Sequence, residues 1–198
     1  MVQSFLGSCK AFLLSEWRLV SYLNVLFYGV VFGSACMYAL LAGFLLAPPL
    51  VSGQPPLVLP EYIVGNGILL FLFVFVSNLG FSAFAVVTLP GLVFFPLSAV
   101  ALAYRGVLWG LLFFSLSLKS FVVLLPVAVL EGEAYVIAAA TGMIAGFSWV
   151  RPSEGLSRTQ SLRGTLKRGL CAYVWVVLLL FVAAVVETMI VMLSGTMF

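Results

Sequence analysis

The sequence predicts an all-α integral membrane protein, a polytopic bundle of about five transmembrane helices. Hydrophobic residues make up 64% of the 198 positions and charged residues only 8%, whereas soluble domains carry about 25% charged residues. So few charges cannot cover a water-facing surface, and the outer surface must therefore face lipid. Several uncharged runs are also long enough to cross a bilayer, which takes about 20 apolar residues. Residues 1–198 are expected to form a single integral membrane domain.

The N-terminal part of the chain predicts an interfacial helix followed by the first span. Residues 1–18 place Leu6, Phe12 and Trp17 among polar neighbours, a pattern typical of an amphipathic helix at the membrane surface. The next uncharged run, 19–47, is long enough to be the first span. The prolines between residues 48 and 56 lack backbone donors and end any helix there.

The middle of the chain is harder to divide. Residues 62–104 carry no charge, which is too long for one crossing, and the Leu89-Pro90-Gly91 sequence predicts a break within it. After the break, a helical hairpin with its turn at Lys119-Ser120 is the simplest solution. Broken or re-entrant helices around 91–133 are the alternative. The predicted spans are 19–47, 65–89, 91–118, 121–150 and 170–193.

Basic residues predict the orientation and a surface helix. The segment 151–169 is rich in Arg and Lys, so the positive-inside rule places it in the cytoplasm. Lys10 and Arg18 place the N-terminus on the same side, and five crossings leave the C-terminus outside the cell membrane. Leucines at 162, 166 and 170 beside basic residues predict an amphipathic helix over 157–169 that lies on the inner leaflet and runs into the last span, with an ordinary loop as the alternative. Its membrane-surface basic residues are Arg158, Arg163, Lys167 and Arg168.

Several charged or polar residues fall within predicted spans. Arg105 lies near the bilayer centre, where a charge costs about 2.5–3.5 kcal/mol on the lenient insertion scale. The hairpin brings it level with Glu131 and Glu133, which predicts a buried arginine–carboxylate cluster with charge-assisted hydrogen bonds. The alternative is that these side chains extend to an interface from short, re-entrant helices. The candidate intramembrane cluster comprises Asn78, Arg105, Glu131, Glu133 and Glu187.

Three small-residue motifs predict close helix packing. Paired glycines four residues apart lie on one helix face and allow a neighbouring backbone to approach closely. Packing within one chain is the simpler interpretation, and a homodimer seam is the alternative. The pairs are Gly29 and Gly33, Gly106 and Gly110, and Gly142 and Gly146.

The composition argues against an enzyme. The chain has no histidine, its three cysteines are scattered, and it lacks phosphate-binding glycine loops and a nucleophile beside a base. Glu131 and Glu133 are two residues apart, so they do not face one site on a helix. We therefore expect no catalytic residues, no metal and no cofactor. The expected partners are the lipid bilayer, a second copy of the chain or other membrane proteins, and not nucleic acid.

The order of polar and small residues resembles the stage II sporulation protein M family. The resemblance covers roughly 19–193, and the family glutamates correspond to Glu131 and Glu187 and its membrane asparagine to Asn78. Two positions differ, since members usually have Asn-Gly where this chain has Arg105-Gly106, and often Pro-His-Gly at 126–128. The matching segments are Asn78-Leu79-Gly80, Gly106-x-x-x-Gly110, Pro126 to Glu131, Ala138-Ala139-Ala140-Thr141-Gly142-x-x-x-Gly146, and Ala183-Ala184-Val185-Val186-Glu187.

The resemblance implies a membrane-embedded component. In sporulating bacteria the family member works with cell-wall hydrolases during engulfment, and relatives occur in organisms that never sporulate. A non-enzymatic membrane scaffold or assembly component, acting through partner proteins or the bilayer, is therefore our first hypothesis. The second is a small ion or solute transporter or channel in which the Arg and Glu side chains line a polar path. Against transport, no internal repeat is evident.

Overall fold

The computed structural model describes residues 14–45, 63, 65–152 and 155–194. This part of the chain is 92% helical and contains no strand. Five helical segments are long and apolar enough to cross a membrane, which confirms the predicted number of spans. They are α1 (Trp17–Leu45), a second span made of α2 (Gly67–Val76), a π-helical segment (Ser77–Thr88) and α3 (Leu89–Val93), then α4 (Pro96–Ser115), α5 (Leu118–Val150) and α6 (Arg158–Ser194).

Two predicted features fall mainly on residues outside the described ranges. The interfacial helix over 1–18 overlaps the structure only from residue 14 onward, where the helical path leads directly into α1. The proline-rich connection at 48–56 lies wholly outside the described residues. The next continuous helix, α2, begins at Gly67. The Asn66 side chain caps it by accepting hydrogen bonds from the backbone N–H groups of Ile68 and Leu69.

The predicted break at Leu89-Pro90-Gly91 is wrong, because the second span continues to Val93. Pro90 lies in the first turn of α3, where its missing N–H removes no helical hydrogen bond that the chain needs. The chain breaks one proline later instead. Phe94 is extended, with φ −146° and ψ 110°, and Pro96 starts α4.

The π segment lies just before Pro90, and side-chain hydrogen bonds stabilise its C-terminal end. The wide turn is seen at Leu89, whose backbone N–H donates to Phe84 O, five residues earlier. The hydroxyl of Thr88 lies 3.0 Å from Ala83 O and 2.9 Å from Ala138 O of α5, either of which accepts its single proton, and it also meets the Tyr173 hydroxyl of α6. Side chains therefore satisfy backbone carbonyls where the helix geometry changes.

The segment between 91 and 133 follows the hairpin prediction and not the re-entrant alternative. α4 is an unbroken helix of 20 residues, and α5 continues through Pro126 for 33 residues. The turn lies at residues 116–117, three residues before the predicted Lys119-Ser120. The Ser117 hydroxyl accepts from the Ser120 backbone N–H and caps α5.

The basic segment is helical and runs into the last span, as predicted, and is not the alternative loop. α6 is 37 residues long and continuous from Arg158, so it rises about 55 Å and exceeds the roughly 30 Å bilayer core. Its first turns bury the small side chains of Ser161 and Thr165. Leu166 and Leu170 are exposed.

α5 is the central helix of the bundle. It contacts α1, the π segment, α3, α4 and α6, and small residues let these neighbours approach its run of buried positions from Ala134 to Gly142. α1 is at the periphery, where Tyr22 and Val25 are each 74% exposed. Large apolar side chains are exposed around the whole circumference, as lipid contact requires.

Candidate functional site

Glu131 is a nearly buried carboxylate in the middle of α5. Its side chain is 8% exposed, and its Oε1 accepts a hydrogen bond of 2.5 Å from Asn78 Nδ2. Asn78 is the second residue of the π segment. This contact therefore joins α5 to the second span at mid-depth.

Two further side chains extend this contact into a chain of hydrogen bonds. Tyr135, which is fully buried, donates from its hydroxyl to Asn78 Oδ1 at 3.0 Å. Arg105 Nη2 of α4 donates to that hydroxyl at 2.9 Å, and its Cζ lies 4.6 Å from the centroid of the Tyr135 ring. Each residue therefore donates a hydrogen bond to the next, from Arg105 to Tyr135, from Tyr135 to Asn78 and from Asn78 to Glu131. We call these four residues the central network.

The central network differs from the predicted cluster in how the charges meet. Arg105 was expected to donate directly to a carboxylate, but Tyr135 and Asn78 stand between the guanidinium and Glu131. The charges of Arg105 and Glu187 nevertheless both act on Glu131. Glu187 acts on Glu131 only through its charge, because it makes no hydrogen bond to another described residue.

Glu133 belongs to a second group of polar side chains. It faces α1, where Asn24 Nδ2 donates to Glu133 Oε2 at 3.3 Å and the Tyr28 hydroxyl donates to Glu133 Oε1, also at 3.3 Å. Glu131 and Glu133 are two residues apart and so point to different neighbours. The structure therefore separates Glu133 from the other predicted residues. We call Asn24, Tyr28 and Glu133 the flank cluster.

The sequence reasoning missed Tyr135, Asn24 and Tyr28. Tyr135 follows Glu131 by four residues and therefore lies on the same face of α5, which is a signal that could have identified it. Asn24 is a polar amide in an otherwise uncharged span, as is Asn78. Tyr28 follows Asn24 by four residues and completes the flank cluster from the same face of α1.

The glycine motifs have two different environments. A Cβ on Gly106 would lie 3.1 Å from Phe27 O of α1, and one on Gly142 would lie 2.7 Å from Thr88 O. Gly110 and Gly146 are just as close to neighbouring helices. These two pairs therefore pack within one chain, whereas a Cβ on Gly29 or Gly33 would meet no other atom within 4 Å.

Two further features are the basic residues of α6 and a cavity beside α1. The side chains of Arg158, Arg163, Lys167 and Arg168 are all exposed on the first turns of α6. A cavity of about 270 Å³ lies between α1, α4 and α5 and is lined by apolar atoms of residues such as Phe32, Trp109 and Phe121. Within the described ranges, no group of three or more His, Cys, Asp or Glu side chains is placed to hold a metal ion.

Comparison with known proteins gives one match. The family model described as stage II sporulation protein M matches residues 23–191, which is most of the chain and includes both the central network and the flank cluster. Neither a curated protein sequence nor a solved structure matches the chain.

Proposed function

Because the chain belongs to the stage II sporulation protein M family, we propose that it is a membrane-embedded, non-enzymatic assembly component that acts through partner proteins or the bilayer. The proposed setting is the cell membrane, with the N-terminus and the 151–169 segment in the cytoplasm and the C-terminus outside. The excess of basic residues in that segment supports this orientation.

The observation that carries the proposal is that the central network is directed inward. Asn78, Arg105, Glu131 and Tyr135 bond to one another and join the second span, α4 and α5. Polar groups that satisfy one another across helices stabilise a bundle in lipid. A transport path would instead place such groups along a water-filled cavity, and the cavity between α1, α4 and α5 has apolar walls.

Reconstitution should show no transport. We expect proteoliposomes of the purified protein to pass Na⁺, K⁺, H⁺ and Cl⁻ at rates within about twofold of protein-free vesicles, because Arg105 and Glu131 are held by Tyr135 and Asn78 inside the bundle and do not line a water-filled path. The measurement is ion-selective fluorescence under an imposed gradient. Flux well above this background that disappears in Glu131→Gln would replace the proposal with the transporter hypothesis.

The exposed side of α1 is the proposed seam for a second copy. Gly29 and Gly33 have open space beside them, and Cys36, one turn further along the same face, is exposed. In a Cys9→Ser background, we expect mild oxidation in membranes to yield a Cys36-linked dimer, because a glycine seam brings the two α1 helices close together.

Two variants control this experiment. Cys36→Ser should remove the dimer band entirely, and Gly29→Ile with Gly33→Ile should reduce it at least about fivefold because bulky side chains separate the helices. An unchanged yield from the double glycine variant would show that α1 is not the seam. The buried Cys171 provides an internal reference that should stay unlinked.

A further inference from the structure

The flank cluster brings four oxygen atoms together between α1 and α5. Glu133 contributes both carboxylate oxygens, which lie beside Asn24 Nδ2 and the Tyr28 hydroxyl at 3.3 Å each. The same hydroxyl lies 3.5 Å from Val129 O, one helical turn before Glu133. A further oxygen, Asn24 Oδ1, belongs to the amide whose Nδ2 contacts Glu133.

The distances between these oxygens are long for hydrogen bonds but suit a bound cation. Hydroxyl hydrogen bonds to oxygen are usually about 2.7–2.8 Å long. Oxygens that each lie about 2.4 Å from one cation, at right angles to each other, are about 3.4 Å apart. The separations of 3.3 Å from Tyr28 to Glu133 and 3.5 Å from Tyr28 to Val129 O match that edge length.

Two polar groups of the cluster also lack the partner that a polar group needs inside a membrane, which is a hydrogen bond for one and a positive charge for the other. Asn24 Oδ1 is buried and has no hydrogen-bond partner. Glu133 is half-buried, and both of its contacts within the described chain are neutral groups. A carboxylate at this depth is costly unless a positive charge compensates for it. A half-turn of the Asn24 amide would direct Oδ1 into the cluster as a further ligand.

We propose that the flank cluster binds one small alkali cation of the Na⁺ class. Hard cations take oxygen ligands from carboxylates, amides, hydroxyls and backbone carbonyls, and the single carboxylate of Glu133 balances one positive charge. Bound there, the cation joins α1 to α5, because Asn24 and Tyr28 lie on α1 and Glu133 and Val129 on α5. The site is separate from the central network and goes beyond the proposed function.

Direct binding of ²²Na⁺ to the purified protein in choline buffer tests this site. We expect saturable retention by the native chain and a rise of its thermal unfolding temperature with Na⁺. Glu133→Gln should weaken Na⁺ binding at least about tenfold, since it removes the only charged ligand. Tyr28→Phe removes one oxygen but keeps the ring that contacts Phe27 at 5.2 Å, so it should weaken binding while the protein still folds.

Matched controls separate the site from general effects of charge or fold. Glu16→Gln makes the same charge change at the start of α1, and Tyr22→Phe removes a hydroxyl from an exposed ring. Both should bind Na⁺ as the native chain does. Absence of saturable retention by the native chain, native binding by Glu133→Gln, or equal loss in the two controls would each overturn the proposal. The flux measurement is independent, because a bound cation need not cross the membrane.

Discussion

Arg105→Glu is expected to abolish the folded bundle. The change removes the hydrogen bond to Tyr135 and the cation over its ring. It also adds a third carboxylate to a region that already holds Glu131 and Glu187. Removing one member of a buried charge network leaves the remaining charge uncompensated and costs about 3–5 kcal/mol. That loss is a large part of the whole stability of a typical domain, about 5–15 kcal/mol.

The measurement is the free energy of unfolding in a detergent titration, together with the fraction of monodisperse protein on size exclusion. Arg158→Glu makes the same charge reversal at an exposed position and should change stability by less than about 0.5 kcal/mol. Arg105→Lys keeps the charge but not the planar group that lies over Tyr135, so an intermediate loss is expected. A stable, monodisperse Arg105→Glu protein would show that the central network does not hold the helices together.

Gly146→Ala should be strongly destabilising although it adds a single methyl group. That Cβ would collide with the backbone carbonyl of Gly91 and lie 3.2 Å from Phe95 Cα. The obstacles are backbone atoms, so no side chain can rotate away and α5 must separate from the end of the second span. Such overpacking costs about 1–3 kcal/mol, and a cost at the upper end is expected because the obstacles are backbone atoms. After the roughly 1 kcal/mol that alanine gains over glycine in a helix, the expected net loss of stability is about 2 kcal/mol.

Gly164→Ala is the matched control and should have the opposite sign. Open space surrounds Gly164 of α6, so the substitution keeps only the gain in helix propensity, about 1 kcal/mol. The same detergent titration measures both variants. If the two alanines changed stability in the same direction, close backbone packing at Gly146 would not be what holds α5 against the second span.

The number of spans could be predicted from the sequence, because such long uncharged runs are compatible only with contact with lipid. It also identified Asn78, Arg105 and Glu131, since polar groups within apolar spans are conspicuous. The i, i+4 spacing places Tyr135 on the face of Glu131, but it does not show that Tyr135 links these residues, because its partners come from α4 and the π segment, far away along the chain. The pairing of Glu133 with Asn24 likewise depends on α1 packing against α5, which no local pattern encodes.

Pro90 shows why the boundaries were less predictable than the number of spans. A proline normally ends a helix because it lacks a donor and crowds the preceding turn. Here the wide π turn before it changes the hydrogen-bond pattern, and Leu89 donates to Phe84 O instead. The identity of Pro90 alone could not distinguish this case from a true break. Pro96, by contrast, starts α4 directly after the true break at Phe94.

The unequal lengths of α1 and α4 determine which helix the lipid headgroups meet beside one turn. The two helices run side by side, and the rings of Tyr38 and Phe114 are 4.9 Å apart near the end of α4. α1 continues to Leu45 beyond that level, a further seven residues or about 10 Å. α4 has 20 residues and rises about 30 Å, which already matches the apolar core of a bilayer. The last turns of α1 therefore extend past the turn at residues 116–117, and the headgroups beside that turn meet the side of α1 instead of α4.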